Sequence, residues 1–219
     1  MHDLLKIEEL KNWKRVGCLI LVIGALQFII LTFTAMIFYP GGYSFVNNYF
    51  SHLGYKEVAG EPNTISHALF LIATVVAGFG LIPFWIIIQT LFTKTRTMNI
   101  TSVIGTLLGV ISAPFLIGLG IFSADTHPNE HGFTTMVFFL LFAAAIAVYS
   151  IAMFFNDDYP SIYGSVGVAF SIVIVLFVFG VFTLINVLMQ KIIVYGFILW
   201  TVFQVTNVWK AVGPKKPNE

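Results

Sequence analysis

Six long apolar runs leave the chain little else to be: Val16–Phe38, Thr64–Leu91, Ile100–Phe122, Gly132–Phe155, Ile162–Asn186 and Ile192–Val212. A helix rises 1.5 Å per residue, so about 20 apolar residues cross the hydrocarbon core of a bilayer. Each run is long enough. Hydrophobic residues make up 58% of the chain and charged residues 10%, against about a quarter charged in a soluble domain. The expected fold is therefore all-α: a six-helix transmembrane bundle forming one membrane domain over residues 1–219. No stretch between spans is long enough for a soluble catalytic domain, so any chemistry belongs to the bundle and its connections.

Met1–Arg15 reads as an interfacial helix, with Asp3 as its N-cap and Leu4, Ile7, Leu10 and Trp13 at helical spacing. An even number of spans puts both termini on one side. That side holds Lys6, Lys11, Lys14, Arg15, Lys94, Arg96, Lys210, Lys215 and Lys216; the other holds only Lys56 and Lys191. Basic residues concentrate on the cytoplasmic side, so the expectation is a cell-membrane protein with both termini cytoplasmic. The Asn99-Ile-Thr101 sequon then falls inside, where it is idle. A net charge of +1 gives no footprint for nucleic acid. The single cysteine, Cys18, excludes an intrachain disulfide and reads as a small packed hydrophobe.

Within the spans, Pro83 and Pro114 are expected to kink their helices. Gly105-Thr-Leu-Leu-Gly109 permits close helix approach, either inside the bundle or between copies in a homo-oligomer. Gln204 and Asn207 stand three apart in the last span and suit interhelical hydrogen bonding. The span interiors carry no Lys, Arg, Asp or Glu, which argues against a voltage sensor or a charged-substrate carrier.

Polar chemistry collects at one end. Four of the five histidines, His52, His67, His127 and His131, fall on the side expected to be outer, together with Asn47, Asn48, Ser51, Asn63, Asp125 and Glu130. They belong to two connections, Tyr39–Asn63 and Ser123–His131, and to the span ends beside them. In the first, Tyr39-Pro-Gly-Gly-Tyr43 reads as a turn and Phe45–Leu53 as a short helix pairing Asn47 with Ser51 and Asn48 with His52. Gly54 then serves as its left-handed C-terminal residue. A connection this long without a charge run is expected to lie packed on the bundle.

In the second connection, His127-Pro-Asn-Glu-His131 fits H-x-x-E-H, a spacing used by some zinc hydrolases. Pro128 suits a helix start, which turns His127 away from a helical position. Two chemistries follow. A zinc centre would use His127, His131 and His67 or His52, with Asp125 or Glu130 as general base and Ser51 or Asn48 steadying the oxyanion. Alternatively Asp125 or Thr126 caps the fourth span, Glu130 faces the positive end of its dipole, and His52 and His67 pin the loop backbone. A transport pathway hinged at the two prolines is a third reading.

Asn48-x-x-Ser51-x-Leu-Gly54, followed by Pro62-Asn63 and a span, resembles the first-loop signature of the domain of unknown function 998 family. Gly120-Ile-Phe-Ser123, then His131 and Phe138-Phe139, resembles its later signature. The related Frag/DRAM/Sfk membrane proteins look similar, although His52 stands where many relatives carry an acidic residue. The resemblance implies six spans and a lipid-linked role, with membrane lipid as the partner. A looser likeness to intramembrane ceramidase-type hydrolases implies a zinc set drawn from Ser51, Asp125, His127, His131 and His52 or His67. The seventh span of those enzymes has no counterpart here.

Overall fold

The computed structural model describes residues 2–212, with side chains from residue 11 to residue 211. Six helices are each long and apolar enough to cross a membrane: α1 (His2–Ile37), α2 (Thr64–Gln89), α3 (Arg96–Ile121), α4 (Pro128–Phe154), α5 (Ser161–Val178) and α6 (Asn186–Val212). Each of the first five packs on the next, and α6 closes the bundle against α1, α2 and α5. Large apolar side chains such as Ile23, Ile30, Phe79, Leu107 and Leu199 point out of the bundle and are at least half exposed. A soluble monomer does not tolerate so continuous an apolar surface; facing lipid, it carries no penalty.

Residues 2–15, expected as a separate surface helix, continue without a break into α1, and Asp3 lies inside that helix. The side chains of residues 1–10, and residues 213–219 with Lys215 and Lys216, lie outside the described residues. α2 and α3 run through Pro83 and Pro114 as single helices. α3 starts at Arg96 because the Thr95 hydroxyl accepts the Met98 N–H at 3.2 Å, a side-chain N-cap.

The tightest packing surrounds Trp85 of α2, which is fully buried. A Cβ on Gly109 would lie 2.2 Å from the Trp85 ring, and one on Gly105 2.7 Å from Tyr149. The small-residue pattern of α3 is thus filled from inside the bundle, by α2 at one glycine and α4 at the other. Neither glycine is open to a second copy, so the sequence-based route to a homo-oligomer is closed at these positions. Thr106, on the same face, places its hydroxyl 2.6 Å from that of Tyr149 and donates to the Trp85 carbonyl at 3.1 Å. At the end opposite the histidines, Gln204 and Asn207 grip the Tyr159 hydroxyl at 2.6 and 2.9 Å, and Lys94 pairs with Asp158.

The fifth span is shorter than expected. α5 stops at Val178 because Gly180 adopts a left-handed φ of +73°. The Gly180 N–H then bonds the Phe177 carbonyl and the Val181 N–H the Leu176 carbonyl, both at 3.0 Å, the paired bonds of a Schellman motif. The residues around the stop are apolar, so hydropathy alone carries the run on to Asn186. The correction moves Asn186 from the end of the fifth span, and Gln190 and Lys191 from the loop after it, into the first turns of α6.

Gly109→Val, which forces a branched side chain into Trp85, is expected to destabilise the bundle by about 2–3 kcal/mol through overpacking. Gly132→Ala, where an added Cβ meets nothing within 4 Å, should be neutral or stabilising by about 0.5 kcal/mol. Thermal unfolding of the two variants in one detergent measures the contrast.

Candidate functional site: a pinned cap over an intramembrane cavity

The α1–α2 connection is a structured cap. It opens with a turn in which Gly41 and Gly42 take φ of +70° and +86° and the Gly42 N–H bonds the Tyr39 carbonyl. A short 3₁₀ helix follows at Phe50–Gly54, in place of the longer helix expected over Phe45–Leu53. Then comes a small hairpin, β1 (Glu57–Val58) against β2 (Glu61–Pro62). Its two-residue turn, Ala59-Gly60, has positive φ at both positions, as a type I′ turn requires. Gly54 is not left-handed. It is glycine because a Cβ there would lie 2.6 Å from the Phe70 ring.

Three successive carbonyls at the end of the 3₁₀ helix receive the polar side chains. Asn63 donates its amide to Leu53 O at 3.3 Å and Tyr55 O at 2.9 Å, and Ser66 donates to Leu53 O at 3.0 Å. Gly54 O accepts His67 Nδ1 at 2.7 Å and Ser123 Oγ at 2.6 Å. Asp125 receives the Lys56 and Glu57 N–H groups at 2.8 and 3.1 Å, and shares the single Ser123 hydroxyl proton with Gly54 O. Donors from the start of α2 and from the α3–α4 connection therefore hold one strip of backbone. His131 donates Nδ1 to the Phe122 carbonyl at 2.8 Å, closing an open carbonyl at the end of α3.

From the other side, α6 holds the cap. Gln190 Oε1 accepts the Phe50 N–H at 2.7 Å, Asn186 donates to the Tyr49 hydroxyl at 3.2 Å, and Lys191 donates to the Asn48 carbonyl. Lys191 is 1% exposed, and its ammonium stands 5.1 Å from the Phe45 ring centre and 5.6 Å from that of Tyr43. Sequence reasoning left Gln190 and Lys191 among loop residues. The signal that finds them is Gly180, which restarts the helix earlier.

The site residues expected from the sequence are thus distributed as follows. Asn48 and His52 do pair, Asn48 Nδ2 to His52 Nδ1 at 3.4 Å, whereas Asn47 bonds back to Ser44. Ser51 faces the bundle interior. His127 stands exposed ahead of Pro128, with Thr126 as its partner at 2.9 Å, and Glu130 is exposed in the first turn of α4. Among the described residues, no three His, Cys, Asp or Glu side chains are placed to share a metal ion. The zinc reading of His52, His67, His127 and His131 thus finds no preformed three-ligand cluster among the described residues, and the pinning reading is met at His67. Three of them are instead directed at separate anchoring points along the cap and the end of α3.

The electrostatics suit anchoring. Burial pulls the Asp125 carboxyl up, but hydrogen bonds from Ser123 and from the Glu57 and Lys56 N–H groups outweigh it and leave the group below the usual carboxylate range. A carboxylate so occupied is a poor general base. Burial, then the charges of Lys191 and His131, push His52 below the usual imidazole value, which keeps it neutral to accept the Asn48 amide.

Beneath the cap lies a cavity of about 100 Å³ walled by α1, α2, α3, α4 and α6, with Phe50 and Ser51 as its roof. Phe28, Phe70, Phe138 and Phe197 supply much of its wall, and no charged residue lines it.

Six spans, a capped end and an interior cavity define a multi-pass integral membrane protein. The chain belongs to the family described as Protein of unknown function (DUF998), which matches residues 22–212. No curated protein and no solved structure matches it significantly.

Acid should loosen the cap in two stages. Both groups have folded pKa values below their unfolded ones, so each contributes stability that is present above its unfolded value and lost as pH falls. His52 acts first, below about pH 6.5, and Asp125 below about pH 4. Hydrogen exchange over residues 48–58 should quicken in those two windows, and His52→Gln should erase the first alone. Asp125→Ala should cost the cap about 1 kcal/mol at neutral pH, read at the Lys56 and Glu57 amides.

Proposed function

We propose that this protein binds a membrane lipid, holding part of it in the cavity beneath the cap. The observation that carries the reading is the cavity itself: apolar walls from five helices, closed at one end by a segment that seven side chains of α2, α6 and the α3–α4 connection, with Asn63 just before α2, hold in place. A void lined by phenylalanine and leucine side chains stays dry and takes apolar guests; one of about 150 Å³ engineered into a soluble protein binds benzene. A cavity near that size here has lipid as its nearest apolar solute. On this reading Asn48, His52, His67, Asp125 and His131 position the cap and do no hydrolysis, and Ser51 belongs to the roof of the binding site.

The nine-to-two distribution of Lys and Arg supports an orientation with the cap facing outward from the cell membrane and both termini in the cytoplasm. A ligand would then be drawn from the outer leaflet.

Lipid extraction from the purified protein should recover a bound lipid, which Ala25→Phe, filling the cavity from α1, should displace at least tenfold. An unchanged lipid yield from a folded Ala25→Phe protein would overturn the reading. For orientation, Asn47→Cys in a Cys18→Ser background should react with a membrane-impermeant maleimide added to whole cells. Labelling only after lysis would reverse the topology.

A further inference from the structure

The cavity lining is not uniform, and its polar groups point to the chemistry of the ligand. Five lining residues can form hydrogen bonds through their side chains: Ser51, Thr74, Thr135, Gln190 and Thr201. Thr74 and Thr201 turn their hydroxyls back onto their own helices, at 3.1 Å to Phe70 O and 2.9 Å to Phe197 O. This is the usual resort of a threonine in an apolar helix. Thr134, beside the cavity, does the same at 2.8 Å to Glu130 O.

Thr135 does not. Its hydroxyl oxygen is buried and has no hydrogen-bond partner among the described residues. A buried hydroxyl left unpaired costs about 1–3 kcal/mol, so such a group marks a place where a partner belongs. The Gln190 carbonyl is taken by Phe50 N–H, and its NH2 group makes no hydrogen bond among the described residues; neither does the Ser51 hydroxyl. All three open groups sit toward the cap. Thr135 lies about 10 Å along α4 from its start at Pro128, by helical rise, Gln190 is in the first turns of α6, and Ser51 is in the roof. The cavity therefore offers hydrogen bonds near the cap and only satisfied or apolar groups below. It has no charged lining residue to offset the desolvation of an anion.

The geometry points to a neutral amphiphile as the ligand, an uncharged hydroxyl- or ester-bearing lipid whose head group bonds Thr135, Gln190 and Ser51 while its chain lies against the phenylalanine walls. An uncharged lining disfavours burial of a phosphate or carboxylate head group. This inference rests on the lipid-binding reading and narrows it to one head-group class.

The test uses the full chain in phosphatidylcholine vesicles and three photoreactive probes of one chain length: a primary alcohol, the matching carboxylate and the matching alkane. The alcohol should label peptides around Thr135 and Gln190, and the other two should label them at least fivefold less. Thr135→Val should lower alcohol labelling about five- to tenfold, the loss of one hydrogen bond. Thr135→Ser should restore it, and Thr134→Val should leave it unchanged. Equal labelling by alcohol and alkane, or by alcohol and carboxylate, overturns the head-group inference while the lipid-binding reading stands. So does alcohol labelling indifferent to Thr135→Val. Absence of any labelling that Ala25→Phe abolishes overturns both.

Discussion

The carbonyl of Gly54 is the junction on which the capped end depends. Its oxygen accepts His67 from α2 and Ser123 from the α3–α4 connection, so one backbone group ties three parts of the chain together. The geometry is possible only because residue 54 has no side chain: a Cβ would run into Phe70. Removed from water, a carbonyl needs partners, and Leu53, Gly54 and Tyr55 all receive them from side chains. The cap is held both by this row of satisfied acceptors and by the buried Tyr39, Phe50 and Leu53 side chains. It therefore forms one body with the helix ends and can close a cavity.

The architecture was legible because hydropathy is a period-free signal: a run of 20 apolar residues declares a span whatever its neighbours do. Where the same signal continued across a turn, it misled. Phe179-Gly180-Val181-Phe182 is as apolar as the helix before it, and only the glycine marks the stop. That error hid Gln190 and Lys191, two of the three α6 side chains that hold the cap. The gathering of histidines at one end was legible too, and so was the pinning of the loop backbone by His67, while the partners of the other rings were not. Spacing places His127 and His131 four apart, but Pro128 starts the helix between them. His127 is then left outside α4 while His131 turns back to Phe122. Sequence spacing records proximity along the chain; which acceptor each ring meets depends on the carbonyls that folding leaves open.

Lys191 shows why polar contacts here set position more than stability. A buried ammonium loses hydration worth several kcal/mol, and in the opening turns of α6 it also faces the positive end of the helix dipole. Against these stand one charge-assisted bond to Asn48 O, a weaker one to Val187 O, and two aromatic rings. Such contacts contribute about 1–3 kcal/mol each at best, so gain and cost nearly cancel. What survives the cancellation is geometry. The ammonium fixes Asn48 relative to α6, one residue beyond Gln190 fixing Phe50, so two adjacent side chains set the register of the roof over the cavity. An apolar residue at 191 would leave the Asn48 carbonyl with the Tyr43 hydroxyl at 3.0 Å as its donor and would remove its direct tie to α6.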